Sequence, residues 1–340
     1  MKQKFEKDIE YSVNLKGKEP EFLMRIGFDS LDGCLLSIAH RQLSNRGSGL
    51  KWDSKTRSWM RIVNGIELPN AYVEENKEDT RIYHESYEKH IKLLRLDKLE
   101  RGQEFVIVGN GNLGNNPWHV AWQYDKKKKL YCLKDEPFLE NVYSCFVVPK
   151  QGNPKIMQVG FDRGEELLDE NNNQISEEVN WCTYGQQIVR ESERVSIEEI
   201  IDQFADARHI FDLKDWSDKT EEGNSRMERD LAIMNDIYEN YPEKFGEKML
   251  GKLREGFPRA EYYHSTLGID ENGIVFYHSK GKIEEIAKKL IDKGVKDSII
   301  LDQGGSVGVY ASWVYPNGGY LSASSYFRPN RISIIAFTLK

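Results

Sequence analysis

Asp302-Gln303-Gly304-Gly305-Ser306 places a carboxylate, two glycines and a hydroxyl directly after the apolar run Ser298–Leu301. A strand over that run would carry Asp302 to its carboxyl end, where open sheets commonly present ligands. Gly304 and Gly305 have no Cβ, so a ligand can approach their backbone closely. Their N–H groups can face a phosphate or sugar oxygen, with the Ser306 hydroxyl beside them. The plain alternative is a turn between two strands, and a lone Gly pair does not decide between them.

Other residue patterns carry less. Gly109-Asn110-Gly111 follows the apolar run Phe105–Val108, but a third glycine is out of register and Pro117-Trp118 comes next, so a dinucleotide fingerprint is not expected. Cys34, Cys132, Cys145 and Cys182 form no CxxC pair and have no zinc-finger spacing. They read as reduced thiols, and Cys182 in NWCTYG has no dedicated histidine to make it a nucleophile. Lys126–Lys129 reads as a solvated hairpin tip rather than a phosphate site. Trp118, Trp122, Trp181 and Tyr184 could stack on a sugar or base, though core packing is commoner for such rings. Asp162, Glu165 and Glu166 offer second carboxylates but read as an ordinary acidic loop.

The elements that must position these groups follow from periodicity. Phe22–Phe28 and Cys34–Ala39 read as strands flanking a hairpin turn at Asp29–Gly33. Tyr83–Leu99 has helical spacing within the charge-rich stretch 74–100. Strands are expected at Phe105–Val108, His119–Tyr124, Leu130–Leu133, Tyr143–Val148, Lys155–Phe161 and Gln187–Val189, with a loop at Asp169–Ser176. Capping boxes at Ser196/Glu199 and Ser225/Glu228 open a helical block over 196–255. Tyr262–Ile269 and Ile274–His278 form a hairpin over Asp270–Gly273. Ile283–Lys293 is an amphipathic helix with Gly294 at its C′ position. The strand Ser298–Leu301 follows it, then strands at Val307–Tyr315, Tyr320–Ser324 and Ile332–Leu339. A helix feeding a strand among hairpins predicts an α+β fold: a mixed, largely antiparallel β-sheet core with packed helices. We expect one domain over 1–340, with 74–100 and 196–255 as helical insertions.

Residues 256–340 carry a family resemblance. The order HSTLGID, hairpin, amphipathic helix, SIILDQGGS, hairpin and Arg328-Pro329-Asn330 resembles the phosphodiester glycosidase family. Upstream, Tyr184–Val189 and Asn110-Gly111 are similar to further blocks of that family. The resemblance implies a hydrolase that cleaves a glycosidic bond to phosphate in a sugar phosphodiester or nucleotide-derived ligand. It implies Asp302 as the carboxylate that stabilises an oxocarbenium-like centre, with metal ligation or turn capping as alternatives. Gly304, Gly305 and Ser306 would hold the departing phosphate. His264 would donate to that phosphate or act as acid, unless it is a packed core histidine. Ser265 lies in the same block; Asn110 would bind sugar hydroxyls or help hold a metal, and Arg328 would pair with phosphate or hold the last strand. A divalent metal is compatible with this set, and no cofactor is assigned. The family's Arg-Thr is His264-Ser265 here and its Gly-Gly-Gly is Gln303-Gly304-Gly305, departures that favour a non-catalytic binding protein for a phosphorylated sugar or nucleotide as the alternative.

Composition bounds these readings. The 340 residues hold 48 Lys plus Arg against 55 Asp plus Glu, a net charge of −7, which argues against a nucleic-acid coat. With 17 Tyr, 14 Phe and 7 Trp, the chain can build a core. No apolar run reaches the ~20 residues of a membrane span, and the first residues lack an apolar leader. The expectation is a cytoplasmic protein of bacterial or phage composition, with a small-molecule partner and neither nucleic acid nor membrane.

Overall fold

The computed structural model describes residues 2–4, 9–14, 20–38, 49–53, 58–63, 66–69, 85–100, 103–109, 121–124, 130–132, 142–162, 166–197, 199–200, 261–303, 307–314, 318–323, 330–331 and 333–340. An eight-stranded sheet runs in the order β1 (Lys2–Lys4), β2 (Ile9–Asn14), β3 (Glu21–Gly27), β19 (Gly273–Gly281), β18 (Tyr262–Ile269), β20 (Asp297–Gln303), β16 (Gln186–Arg190), β17 (Glu193–Arg194). A five-stranded sheet is ordered β22 (Gly319–Ala323), β21 (Gly308–Ala311), β9 (Glu104–Gly109), β24 (Ser333–Leu339), β4 (Leu31–Ile38). A six-stranded sheet is ordered β11 (Leu130–Cys132), β10 (Ala121–Tyr124), β15 (Val179–Tyr184), β12 (Val142–Pro149), β13 (Lys155–Asp162), β14 (Glu166–Leu168). Smaller sheets join β5 (Gly49–Asp53), β6 (Ser58–Val63) and β7 (Ile66–Pro69), and β8 (Glu85–Ser86) with β23 (Asn330–Arg331).

Alternation along the strands builds one core between the sheets. In β3, Phe22, Met24 and Ile26 point inward. They meet Leu36, Val106, Val108, Ile335 and Phe337 of the five-stranded sheet and Phe146 and Trp181 of the six-stranded one. The Trp181 indole N–H donates to the Cys34 carbonyl at 2.9 Å, satisfying a backbone group of edge strand β4. On the outer side of the five-stranded sheet, helix α1 (Tyr87–Leu93) adds Tyr87 to Phe105, Ile107 and Ile334. Beneath the other face of the eight-stranded sheet, helix α2 (Ile283–Asp292) buries Ile283, Ile286, Ala287 and Leu290. Each fully buried aliphatic contributes roughly 1.5–3 kcal/mol.

The sequence-based α+β expectation is corrected here. Every pairing among the described strands is antiparallel, and α1 and α2 are the two α-helices of the described residues, so the architecture is mainly antiparallel β. The helix that feeds a strand is present but means something else. β19 and β20 both pair antiparallel to β18, which lies between them. They therefore run parallel to each other, and α2 is the crossover that parallel strands require. Beyond Ile200, the helical block expected over 196–255 lies outside the described residues. Its start is visible: the Glu199 N–H donates to the Ser196 hydroxyl at 3.1 Å. The hairpin expected across Asp29–Gly33 is also replaced. A 3-10 turn at Phe28–Ser30 carries the chain from β3 in one sheet to β4 in another, a corner of the layered core. No helix of the described residues is long and apolar enough to cross a membrane.

Both ends of the unit that holds β20 are well made. Gly294 (φ +82) ends α2, with its N–H on the Ile291 carbonyl at 2.8 Å and that of Val295 on Leu290 at 3.1 Å. These are the paired bonds of a Schellman stop. The β18–β19 turn is closed by Asp270, whose Oδ1 accepts from the Asn272 and Gly273 N–H groups at 2.8 and 2.9 Å. A Cβ on Gly273 would meet the Ile26 carbonyl oxygen at 2.1 Å. Gly273→Ala is therefore expected to cost about 2 kcal/mol or more, because backbone rather than a flexible side chain must move. Thermal unfolding checks this, and an unchanged Tm would contradict the packing of β3 on β19.

Candidate active site

Ser265 sits on β18 with His278 directly opposite on β19 and Asp302 directly opposite on β20. Directly paired residues share a face with Cβ atoms roughly 4.5–5.5 Å apart, so the three form one row across three central strands. A β-bulge makes the row. Thr266 pairs with Ile300, but Ser265 pairs with Asp302, so Leu301 is the extra residue on β20. In a regular ladder, with Leu301 opposite Ser265, Asp302 would fall opposite His264. Bulges of this kind commonly re-aim a side chain beside a site. Ser265 and His278 are fully buried, and Asp302 is 3% exposed.

The contacts within the row are polar. Ser265 Oγ and His278 Nε2 are 3.0 Å apart. His278 Nδ1 is buried without a partner. Phe22 and Tyr263 flank the imidazole, with ring centroids 5.6 and 6.3 Å away. Burial pushes the His278 imidazole down to about 3, so it is neutral at ordinary pH. The Tyr263 hydroxyl donates to the Pro20 carbonyl at 2.8 Å and lies 3.0 Å from Ser322 Oγ of β22, tying the two sheets together at this end.

His264 is the residue before Ser265, so its side chain leaves the opposite face of the sheet. It pairs with Ser279 and Gln303 and meets the Tyr262 ring edge-on at 6.1 Å. Neither ring nitrogen makes a hydrogen bond of good geometry. Burial pushes this imidazole down to about 4; the nearby Gly281 backbone favours the charged form, but less strongly. The structure thus brings Asp302 and Ser265 together and sets His264 apart from them.

The remaining expected site residues lie outside the described residues: Asn110, Gly304, Gly305, Ser306 and Arg328. Their flanking strand ends are described. β9 ends at Gly109, β20 ends at Gln303, β21 begins at Gly308 and β22 ends at Ala323. Val309 pairs with Val108, Gly308 with Ala323 and Ile334 with Gly109, so these ends of the five-stranded sheet are neighbours. The Tyr263–Ser322 contact sets them beside the end of the eight-stranded sheet that carries Asp302. Among the described residues no group of three or more His, Cys, Asp or Glu could hold a metal ion.

Other candidates resolve into core. Trp181 and Tyr184 are buried, with Tyr184 edge-on to Tyr143 at 5.4 Å. Cys34, Cys145 and Cys182 are buried and in no disulfide, and burial pushes the Cys34 thiol up to about 12. Trp118, Lys126–Lys129, Glu165 and residues 110–116 lie outside the described residues. His278 was the residue that sequence reasoning missed. A turn at Asp270–Gly273 pairs Ile269 with Ile274, and counting back pairs Ser265 with His278. The signal was therefore present in the hairpin register.

No protein-family model and no curated protein matches the sequence. Among solved structures, the chain is similar to the catalytic domain of zebrafish N-acetylglucosamine-1-phosphodiester alpha-N-acetylglucosaminidase, auto-inhibited by its pro-peptide. The identity is 14% and the TM-score 0.43, over 97% of this chain and 81% of that one. It is also similar to a hypothetical protein from Synechocystis, at 10% identity and TM-score 0.40, spanning 98% of this chain and 62% of that chain's length.

Proposed function

We propose that the chain is a hydrolase that cleaves a glycosidic bond to phosphate in a sugar phosphodiester or nucleotide-derived ligand, with Asp302 as the working carboxylate. The observation that carries this reading is the bulge that turns Asp302 into the Ser265–His278 row at the edge of the core. The chemistry asks for little base strength, because phosphate is a good leaving group. It asks for negative charge beside an oxocarbenium-like centre, which a fixed carboxylate supplies. Held at a bulge between paired strands, Asp302 has little freedom to lose when a ligand arrives. The Gly304–Ser306 segment continues from β20 directly after it and is the proposed holder of the departing phosphate. Cys34, Cys145 and Cys182, buried and in no disulfide, suit a reducing cytoplasm.

One observation favours the second reading, a binding protein on the same fold. Burial keeps both histidines of this sheet end neutral, so neither is an imidazolium acid beside Asp302. A panel of sugar-1-phosphodiesters and nucleotide sugars separates the two. The hydrolase reading expects release of free sugar and a phosphomonoester (from a nucleotide sugar, the nucleotide) by the native chain, and none by Asp302→Ala. Stoichiometric binding without turnover would leave the binding protein.

A further inference from the structure

We infer that His278 is a positioning residue for this site: its Nε2–H holds Ser265 Oγ so that the serine O–H points across the sheet towards Asp302. The inference rests on Asp302 being the working carboxylate. It assigns a role to a residue on the neighbouring strand that neither composition nor motif singles out.

The argument is one of counting donors and acceptors. A neutral imidazole has one N–H and one lone pair. Ser265 has one O–H, and it stands between His278 and Asp302. In one tautomer the proton is on Nδ1, and Nε2 accepts the serine O–H. That arrangement strands a buried N–H at Nδ1, which has no partner. It also turns only lone pairs of Ser265 Oγ towards a carboxylate, which repels them. In the other tautomer the proton is on Nε2 and is donated to Ser265 Oγ at 3.0 Å. The serine proton is then free for the acceptor-only carboxylate one strand away. The buried group left unpaired is now the Nδ1 lone pair, and orphaned acceptors are tolerated better than orphaned N–H groups. Both differences favour the second tautomer. Phe22 and Tyr263 fix the ring plane from either side, so the imidazole cannot swing to another partner without displacing them.

The direct test needs no substrate. Long-range proton–nitrogen correlation spectra of the full chain, labelled with nitrogen-15, read the tautomer of His278. The expected pattern is a protonated Nε2 and an unprotonated Nδ1 at neutral pH, assigned by its loss in His278→Gln. A protonated Nδ1, or an imidazolium, would overturn the inference. A second readout follows the Asp302 carboxyl carbon with pH. Removing the donor in Ser265→Ala is expected to move its titration upward, because a hydrogen bond to the charged form is lost. Ser265→Thr keeps a hydroxyl and is expected to restore the native titration. An unmoved Asp302 titration in Ser265→Ala overturns the relay. Absence of turnover on the substrate panel, by contrast, removes the hydrolase reading and leaves both spectroscopic results standing.

Discussion

Acidification from pH 7 to about 4 is expected to destabilise the fold by about 3 kcal/mol for each of His264 and His278. Both imidazoles are fully buried, and burial pushes them down to about 4 and about 3 respectively. The sign follows from proton counting. In the unfolded chain a histidine takes up its proton near pH 6.5. In the folded chain these two stay neutral until the pH reaches their depressed values. Between those limits the unfolded state binds more protons, so stability falls as the pH falls. Their contribution is fully present above about pH 6.5 and is lost as the pH drops towards the folded values. Two such groups give a slope of about 2.4 kcal/mol per pH unit between pH 6 and 5, above the range where most carboxylates titrate. Together they compete with the whole stability of an ordinary domain.

The variants make that prediction specific. His264 makes no good hydrogen bond through either nitrogen, so His264→Leu gives up no polar partner and removes a buried polar ring. It is expected to be neutral or stabilising at pH 7 and to halve the slope. His278→Gln is expected to halve the slope too, but at a cost at pH 7, because the contact with Ser265 is lost. Urea unfolding at several pH values measures both slopes. A stability that stays flat from pH 6.5 to 5 would mean the imidazoles are not buried in the way the packing describes.

Much of the sheet was legible in the sequence because alternation is a local signal. Phe22–Ile26, Phe105–Val108 and the β18–β19 hairpin each announce themselves within a few residues. So does α2, with its apolar face and Gly294 stop. Pairing partners are not local. Nothing near Phe28 says that the chain changes sheets there; the next strand finds β24, some three hundred residues away in the chain, because its apolar residues complete the same core. The single extra residue on β20 is likewise invisible in the sequence, since Ile299, Ile300 and Leu301 are all apolar and any register looks acceptable. Whether Leu301 bulges or pairs regularly decides which histidine shares a face with Asp302. Motif reading paired Asp302 with His264, its neighbour in an unbulged sheet, and the register pairs it with Ser265 and His278 instead.

Asp302→Asn is the substitution in which these threads meet. The amide keeps the size of the carboxyl and its place on β20, so the fold is expected to survive, and a thermal scan confirms that first. What it removes is charge. A carboxylate beside an oxocarbenium-like centre acts mainly in the transition state, so its loss is expected to lower kcat by about 1000-fold with KM changed little, about 4 kcal/mol of barrier. His264→Leu provides the contrast. Its side chain leaves the other face of β18, so turnover is expected to remain within a few-fold of native. The two variants together discriminate between the motif and the register. If both lose activity equally, the acid role read from the HSTLGID block holds, and the face of the sheet does not matter. If only Asp302→Asn does, the chemistry belongs to the row across β19, β18 and β20, and the bulge at Leu301 is what assembled it.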